Sequence, residues 1–264
     1  MLRKFFLASC LFAAVSCSTV PVTGRRQLDL VPDSQMLSMS FSEYDTFLKQ
    51  NRLSSDAANT AMVKRVGQRI QQAVEAYMAQ NNLSNELAGF QWEFNLVEDK
   101  TPNAWCMPGG KVVVYTGILP LTQNETGLAV VMGHEIAHAI AKHGNERMSQ
   151  GLAQQLGGVA LDVALSQKPA QTRSLFLTSY NVGSGLGLLK YGRTQESEAD
   201  HLGLIFMAMA GYDPQQAIPF WERMAAQGSG QAPPEFLSTH PSDATRINDL
   251  RRLMPEAMKY YKPR

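Results

Sequence analysis

The segment His134-Glu135-Ile136-Ala137-His138 is the part of this chain best equipped to do chemistry. Two histidines four positions apart lie one turn from each other on the same helix face, so both imidazoles reach one metal ion. The glutamate between them falls beside that ion, placed to act on a water. Zinc in a hydrolase takes three protein ligands and keeps one position open, so a third ligand is required. One arrangement takes it from a histidine six residues beyond the second; that position is Gly144 here, and His143 falls one short. His143 is therefore expected to be an exposed residue at the helix end, where a positive charge suits the dipole.

The run Glu196-Ser197-Glu198-Ala199-Asp200 supplies a better third ligand. Glu196 and Asp200 are four apart and share one helical face. Glu196 is expected to join His134 and His138 on zinc, one ion per chain. Asp200 is expected to accept the N–H of a ligand histidine and so fix its ring. Glu198 points elsewhere and is expected at the surface. His201, next to Asp200, faces away from the pair. No Cys-x-x-Cys is present, which argues against a thiolate zinc site.

The elements that position these residues can be outlined. Asp56 to Gln80 carries Val63, Val66, Ile70, Val74 and Tyr77 at helical spacing and is a core-packed helix. Phe90, Trp92, Phe94 and Leu96 alternate with polar residues as a half-buried strand, and Lys111 to Tyr115 forms a second; the two are expected to share a small antiparallel sheet. Thr122 and Glu125 form a capping box that starts the His134–His138 helix, which runs to about His143 and stops at Gly144. Further helices are expected over 148–166, Thr194 to Ala210 and beyond Asp213-Pro214, and after a Ser242 cap. The glycine-dense stretch 181–187 is expected to be mobile, and the region around 148–190 is a lid candidate. The fold class is thus α+β and predominantly helical.

At 264 residues and 44% hydrophobic content the chain holds one good core. A net charge of +1, with no basic run outside the extreme N-terminus, gives no sign of a nucleic-acid surface. Arg3 and Lys4 precede an apolar stretch from Phe5 to Val15, too short to span a bilayer. Ala14-Val15-Ser16-Cys17 resembles a lipobox, favoured over the alternative at Cys10. The expectation is a signal peptide over 1–16, lipid attachment at Cys17, a polar tether and first helical segment over 17–50, and a single zinc metallopeptidase domain over 51–264. Only Cys106 would then remain, which excludes an intrachain disulfide.

Arg193-x-x-Glu196-x-x-Ala199-Asp200 after the His-Glu-x-x-His motif resembles metallopeptidase family forty-eight. Asn103-Ala104, Pro108-Gly109-Gly110, Tyr115-Thr116-Gly117 and His240-Pro241 followed by Arg246 match it too, so the resemblance covers about 60–253. Gly192 departs from the serine that the family often has there. The resemblance implies a gluzincin fold, closest to the family's single-domain periplasmic lipoproteins. It implies Glu135 as general base and a substrate strand added at the edge formed by Asn103 and Ala104. His240 and Arg246 are the oxyanion candidates. His240 has a second implied role, as a fourth zinc ligand that keeps the enzyme latent; a solvent-facing loop histidine is the plainer alternative. The function expected is a zinc-dependent endopeptidase of the bacterial cell envelope, lipid-anchored on the periplasmic side of the outer membrane. It would act on misfolded or unassembled proteins, with outer-membrane assembly machinery as a possible partner. A zinc-bearing chaperone and a structural lipoprotein with a vestigial site are the other readings; the intact Glu135 argues against the latter.

Overall fold

The computed structural model describes residues 17–155, 166, 168–182, 192–227, 235–240 and 244–263. The expected signal segment, most of the glycine-dense stretch and Ser242 lie outside these.

The frame around the motif is helical. The motif helix α4 (Glu125–Ile140) is buried from Gly127 to Ile140, on every face and not along one stripe. Such a helix belongs at the centre of a core. The third-ligand helix, α7 (Arg193–Met209), is its main neighbour; α2 (Ala57–Gln80) packs on both, and α10 (Ala244–Tyr260) packs on α7. Two glycines allow α4 and α7 to meet backbone to backbone. A Cβ on Gly133 would lie 3.1 Å from the Gly203 carbonyl oxygen, and one on Gly203 would lie 3.1 Å from the His134 nitrogen. This crossing sets how far Glu196 stands from the two motif histidines.

The cap of α4 differs from expectation. Asn124, extended at φ −156°, accepts from the Gly127 N–H at 3.0 Å. Thr122 ends a short preceding helix, α3 (Leu119–Thr122), and its hydroxyl donates back to Leu119. It is thus committed before α4 begins. The far end also differs. Lys142 turns left-handed at φ 57°, held by ion pairs to Asp33 and Glu86, and α5 (His143–Gln155) starts at once through Gly144. A left-handed residue after the cap reverses the chain, so His143 folds back towards α4.

The sheet is mixed. Strand β3 (Glu93–Val97) pairs with β5 (Lys111–Tyr115) in parallel, and β4 (Ala104–Met107) pairs with β5 antiparallel, in the order β3-β5-β4. The antiparallel pairing expected for the first and last of these is therefore corrected: β4 intervenes in the chain, and its hairpin with β5 leaves only the far edge of β5 for β3. Strand β4 is an outer strand packed beside α4.

Residues 17–50, expected to begin as an irregular tether, are folded. Strands β1 (Cys17–Thr19) and β2 (Arg26–Leu28) form an antiparallel hairpin, followed by α1 (Asp33–Gln50). The buried Gln27 amide donates to the carbonyl of Ala141 at 2.8 Å, which docks the hairpin on the end of α4. Cys17 opens β1 and is exposed; Cys106 is buried. No helix among the described residues is long and apolar enough to cross a membrane. The remaining helices are α6 (Pro169–Ser179), α8 (Ala217–Gln227) and α9 (Glu235–Thr239).

Candidate metal centre

Four buried side chains converge where α4, α7 and the end of α9 meet. His134, His138, Glu196 and His240 each offer one ligand atom, all within 4.8 Å of one another. His134 Nε2 lies 3.1 Å from His138 Nε2 and 3.5 Å from Glu196 Oε2, and His138 Nε2 lies 3.3 Å from Glu196 Oε1. A tetrahedral ion with bonds of about 2.0–2.1 Å spaces its ligand atoms by roughly 3.3–3.4 Å. The three spacings fit that geometry, and two imidazoles with a carboxylate are a donor set suited to zinc.

The electrostatics favour a positive charge here. Burial opposes protonation of His134, but Glu196 and Asp200 outweigh it and push the ring up to about 9. Burial opposes ionisation of Glu196, yet His240, Arg246 and His134 hold it well below the usual carboxylate range. His138 is pushed down by burial. Glu135 is pushed up by burial, against the pull of His240 and His134. Its Oε1 lies 3.3 Å from His240 Nε2.

Asp200 Oδ1 stands 3.0 Å from His134 Nδ1. With Nδ1 protonated, the lone pair on Nε2 faces the cluster. Arg246, the other oxyanion candidate, is engaged with the acidic side chains of α7. Its Nε and Nη2 donate to Asp200 at 2.8 and 2.6 Å, and Nη1 pairs with Glu196 at 2.9 Å. Its guanidinium lies 3.3 Å from the centre of the Trp221 ring. Arg246 thus holds two acidic side chains of α7 in place.

His240 is buried and not a loop residue facing solvent. Its N–H closes α9 by bonding Phe236 O at 2.9 Å. Its Nδ1 lies 2.8 Å from Glu196 Oε1 and 3.1 Å from His134 Nε2. The ring therefore bridges Glu196 on one side and Glu135 on the other. Asn103 and Ala104 stand at the start of β4, both buried; Asn103 Oδ1 accepts from the Ala104 N–H at 2.8 Å. Two positions beyond Ala104, the Cys106 thiol is pushed up by burial and by Glu135, in keeping with β4 packing beside α4.

Two expectations fail at the centre's edge. His143 is fully buried, with Nδ1 2.9 Å from His138 Nδ1 and Nε2 3.0 Å from Glu198 Oε2. Glu198 is buried as well, and Arg25 Nε and Thr23 Oγ1 donate to it at 2.9 and 2.7 Å. The turn at Lys142 and the docked hairpin enclose both, which no helical spacing reveals. One sequence signal was available: Leu202, Leu204, Ile205, Phe206 and Met207 encircle the C-terminal half of α7, a sign of a helix buried over most of its surface. His201 does face away, bonding Glu256 at 2.9 Å.

The profile of peptidase family M48 matches residues 64–254. The chain is 34% identical over 242 residues to the mitochondrial metalloendopeptidase OMA1 of Schizosaccharomyces pombe, covering 90% of this chain and 66% of that protein. It is 30% identical to its Saccharomyces cerevisiae counterpart, covering 98% of this chain and 75% of that protein. The beta-barrel assembly-enhancing protease of Yersinia pestis is 31% identical over 61% of this chain and 34% of its own length. The expected location on the periplasmic side of a bacterial outer membrane is thereby corrected: the relatives that match nearly the whole chain are mitochondrial, and the bacterial one matches less of it. With the family profile covering most of its length around the buried His134, His138 and Glu196, the chain belongs to peptidase family M48, a family of metalloendopeptidases.

Proposed function

We propose that this chain is a zinc-dependent endopeptidase that cleaves misfolded or unassembled proteins. The observation that carries this reading is the convergence of His134, His138 and Glu196 on one point with the buried Glu135 carboxylate beside them. His134, His138 and Glu196 hold the ion. Bound zinc supplies Lewis acidity, which polarises the scissile carbonyl and acidifies water. Glu135 takes the water proton and passes it to the leaving amine; a carboxylate made more basic by burial suits that task. Asp200 fixes the His134 ring. Strand β4, entered through Asn103 and Ala104, offers the edge along which an extended substrate pairs.

His240 acts as a gate. Its ring sits between Glu196 and Glu135, on the ground that water and substrate must share. Displacement of His240 then accompanies substrate entry. This reading predicts that zinc-loaded His240→Ala hydrolyses casein faster than the parent chain. A loss of turnover on the order of a hundredfold with zinc retained would instead make His240 an oxyanion donor, and an unchanged rate would defeat both roles. The metal assignment is tested by metal analysis: His134→Ala, His138→Ala and Glu196→Ala should each lose zinc, and chelator should abolish casein hydrolysis. Zinc retained by Glu196→Ala would overturn the choice of third ligand.

A further inference from the structure

The outer nitrogen of His134 faces the Asp200 carboxylate, whereas that of His138 faces a second histidine. From His138 Nδ1 the contacts run to His143 Nδ1 at 2.9 Å, from His143 Nε2 to Glu198 Oε2 at 3.0 Å, and from Glu198 to Arg25 Nε at 2.9 Å and Thr23 Oγ1 at 2.7 Å. Resting on the metal-centre reading above, we propose that Glu198 and Arg25 are positioning residues that orient His138 through His143, so that the N-terminal hairpin is part of the metal centre.

The proton inventory allows one direction along this chain. If His138 Nε2 presents a lone pair to the ion, Nδ1 carries the proton and donates to His143 Nδ1. His143 must then carry its own proton on Nε2, which donates to Glu198. Glu198 accepts from His143, Arg25 and Thr23 together. It is the carboxylate at the end of the relay, the role that a single carboxylate fills behind a metal-bound histidine elsewhere. Arg25 is fixed in turn. Its Nη1 and Nη2 donate to Glu146 of α5 at 2.8 and 2.9 Å, and Glu146 accepts from Gln195 of α7 at 2.7 Å. One guanidinium thus ties the helix that carries His143 to the helix that carries Glu196. Thr23 and Arg25 lie between β1 and β2, outside the 64–254 matched by the family profile. The hairpin thus reaches the site from outside the stretch that the profile matches.

The test is zinc affinity by chelator competition in the full chain, read beside the visible spectrum of the cobalt(II)-substituted protein and the melting temperature of the metal-free form. His143→Ala should weaken zinc binding ~100-fold, and Glu198→Gln and Arg25→Ala ~10-fold each, the range for partners behind metal ligands. The cobalt spectrum should shift in all three. Arg69→Ala, which removes donors to the Ala210 carbonyl far from His138, should lower the melting temperature while leaving zinc affinity within about twofold. Should Arg25→Ala not fold, Thr23→Val cuts one donor to Glu198 and should still weaken zinc severalfold. Zinc affinity within about twofold of the parent chain and an unshifted cobalt spectrum in the folded Glu198→Gln protein would overturn the proposal. A parent chain that binds no zinc would overturn the metal-centre reading instead.

Discussion

The two motif histidines are held from behind in different ways. His134 leans on Asp200, and Arg246, stacked on Trp221, grips Asp200 and Glu196 at once. That support is short, entirely buried, and carried by α7 and α10 within the matched region. His138 leans on His143, Glu198 and Arg25, a longer support that ends on a hairpin near the chain's start, where the Arg25 side chain is 27% exposed. The first is a direct clamp and the second a relay. The same metal site therefore depends on one part of the fold that cannot move without unpacking the core, and on another that a surface element can reach.

The largest effect should come from cutting the clamp. Arg246→Ala leaves the buried Asp200 and Glu196 carboxylates with only the His134, His138 and His240 rings to share, a change that costs about 3–5 kcal/mol. Chemical denaturation of the metal-free protein should show that loss, and a smaller one for Arg25→Ala, whose partners keep His143, Thr23 and Gln195. Equal losses would erase the contrast between the supports. Next, Asp200→Asn removes the charge behind His134 while keeping its shape, and zinc affinity should fall ~100-fold. It should fall further than in Glu198→Gln, because Asp200 touches a proposed ligand directly.

Gly203→Ala acts on both supports at once. The new methyl would meet the Gly133 and His134 backbone, which cannot swing aside as a side chain can. The expected loss is about 1–3 kcal/mol, with weaker zinc binding from the wider separation of Glu196 and the histidines. A variant of parental stability and affinity would show that the crossing has slack.

The smallest effect is one of pH. Glu198 is held down to about 2 from a carboxylate's ordinary 4.5, and Glu146, beside the same Arg25, is also lowered. A depressed carboxylate stabilises the fold at pH values above its unfolded pKa and loses that contribution as pH falls towards its folded one. Burial likewise lowers His143 from 6.5, so its neutral form is progressively harder to keep below that value. The melting temperature of the metal-free protein should therefore decline from about pH 6.5 downwards, and Glu198→Gln should flatten the decline below about pH 4.5. An identical acid profile in both proteins would detach Glu198 from the effect.

The contrast between clamp and relay also separates what could be read from the sequence from what could not. His134 with His138, and Glu196 with Asp200, each lie on one helix, and the four-residue period brings each pair to one face whatever surrounds it. The clamp was legible on that ground. The relay depends on a left-handed Lys142, a residue that gives no glycine signal for such a turn, and on a polar N-terminal segment that folds back across the end of α4. Spacing says nothing of either, so His143 and Glu198 were expected at the surface. The parallel pairing of β3 with β5 was hidden for a similar reason: nearness in sequence does not say which edge of a strand an intervening hairpin will occupy. The helical character and the boundaries of α2 and α7 were legible because apolar periodicity and local caps decide them.

The central claim is that His134, His138 and Glu196 hold a zinc ion at which Glu135 moves the proton. Glu135→Gln tests it most directly, because the amide keeps the shape of the side chain and cannot take a proton from water. Zinc content and casein turnover should be measured on the same preparations of this variant and the parent chain. The account predicts one zinc per chain in both proteins and near-complete loss of turnover in the variant. A zinc-replete Glu135→Gln protein that cleaves casein at close to the parental rate would contradict it.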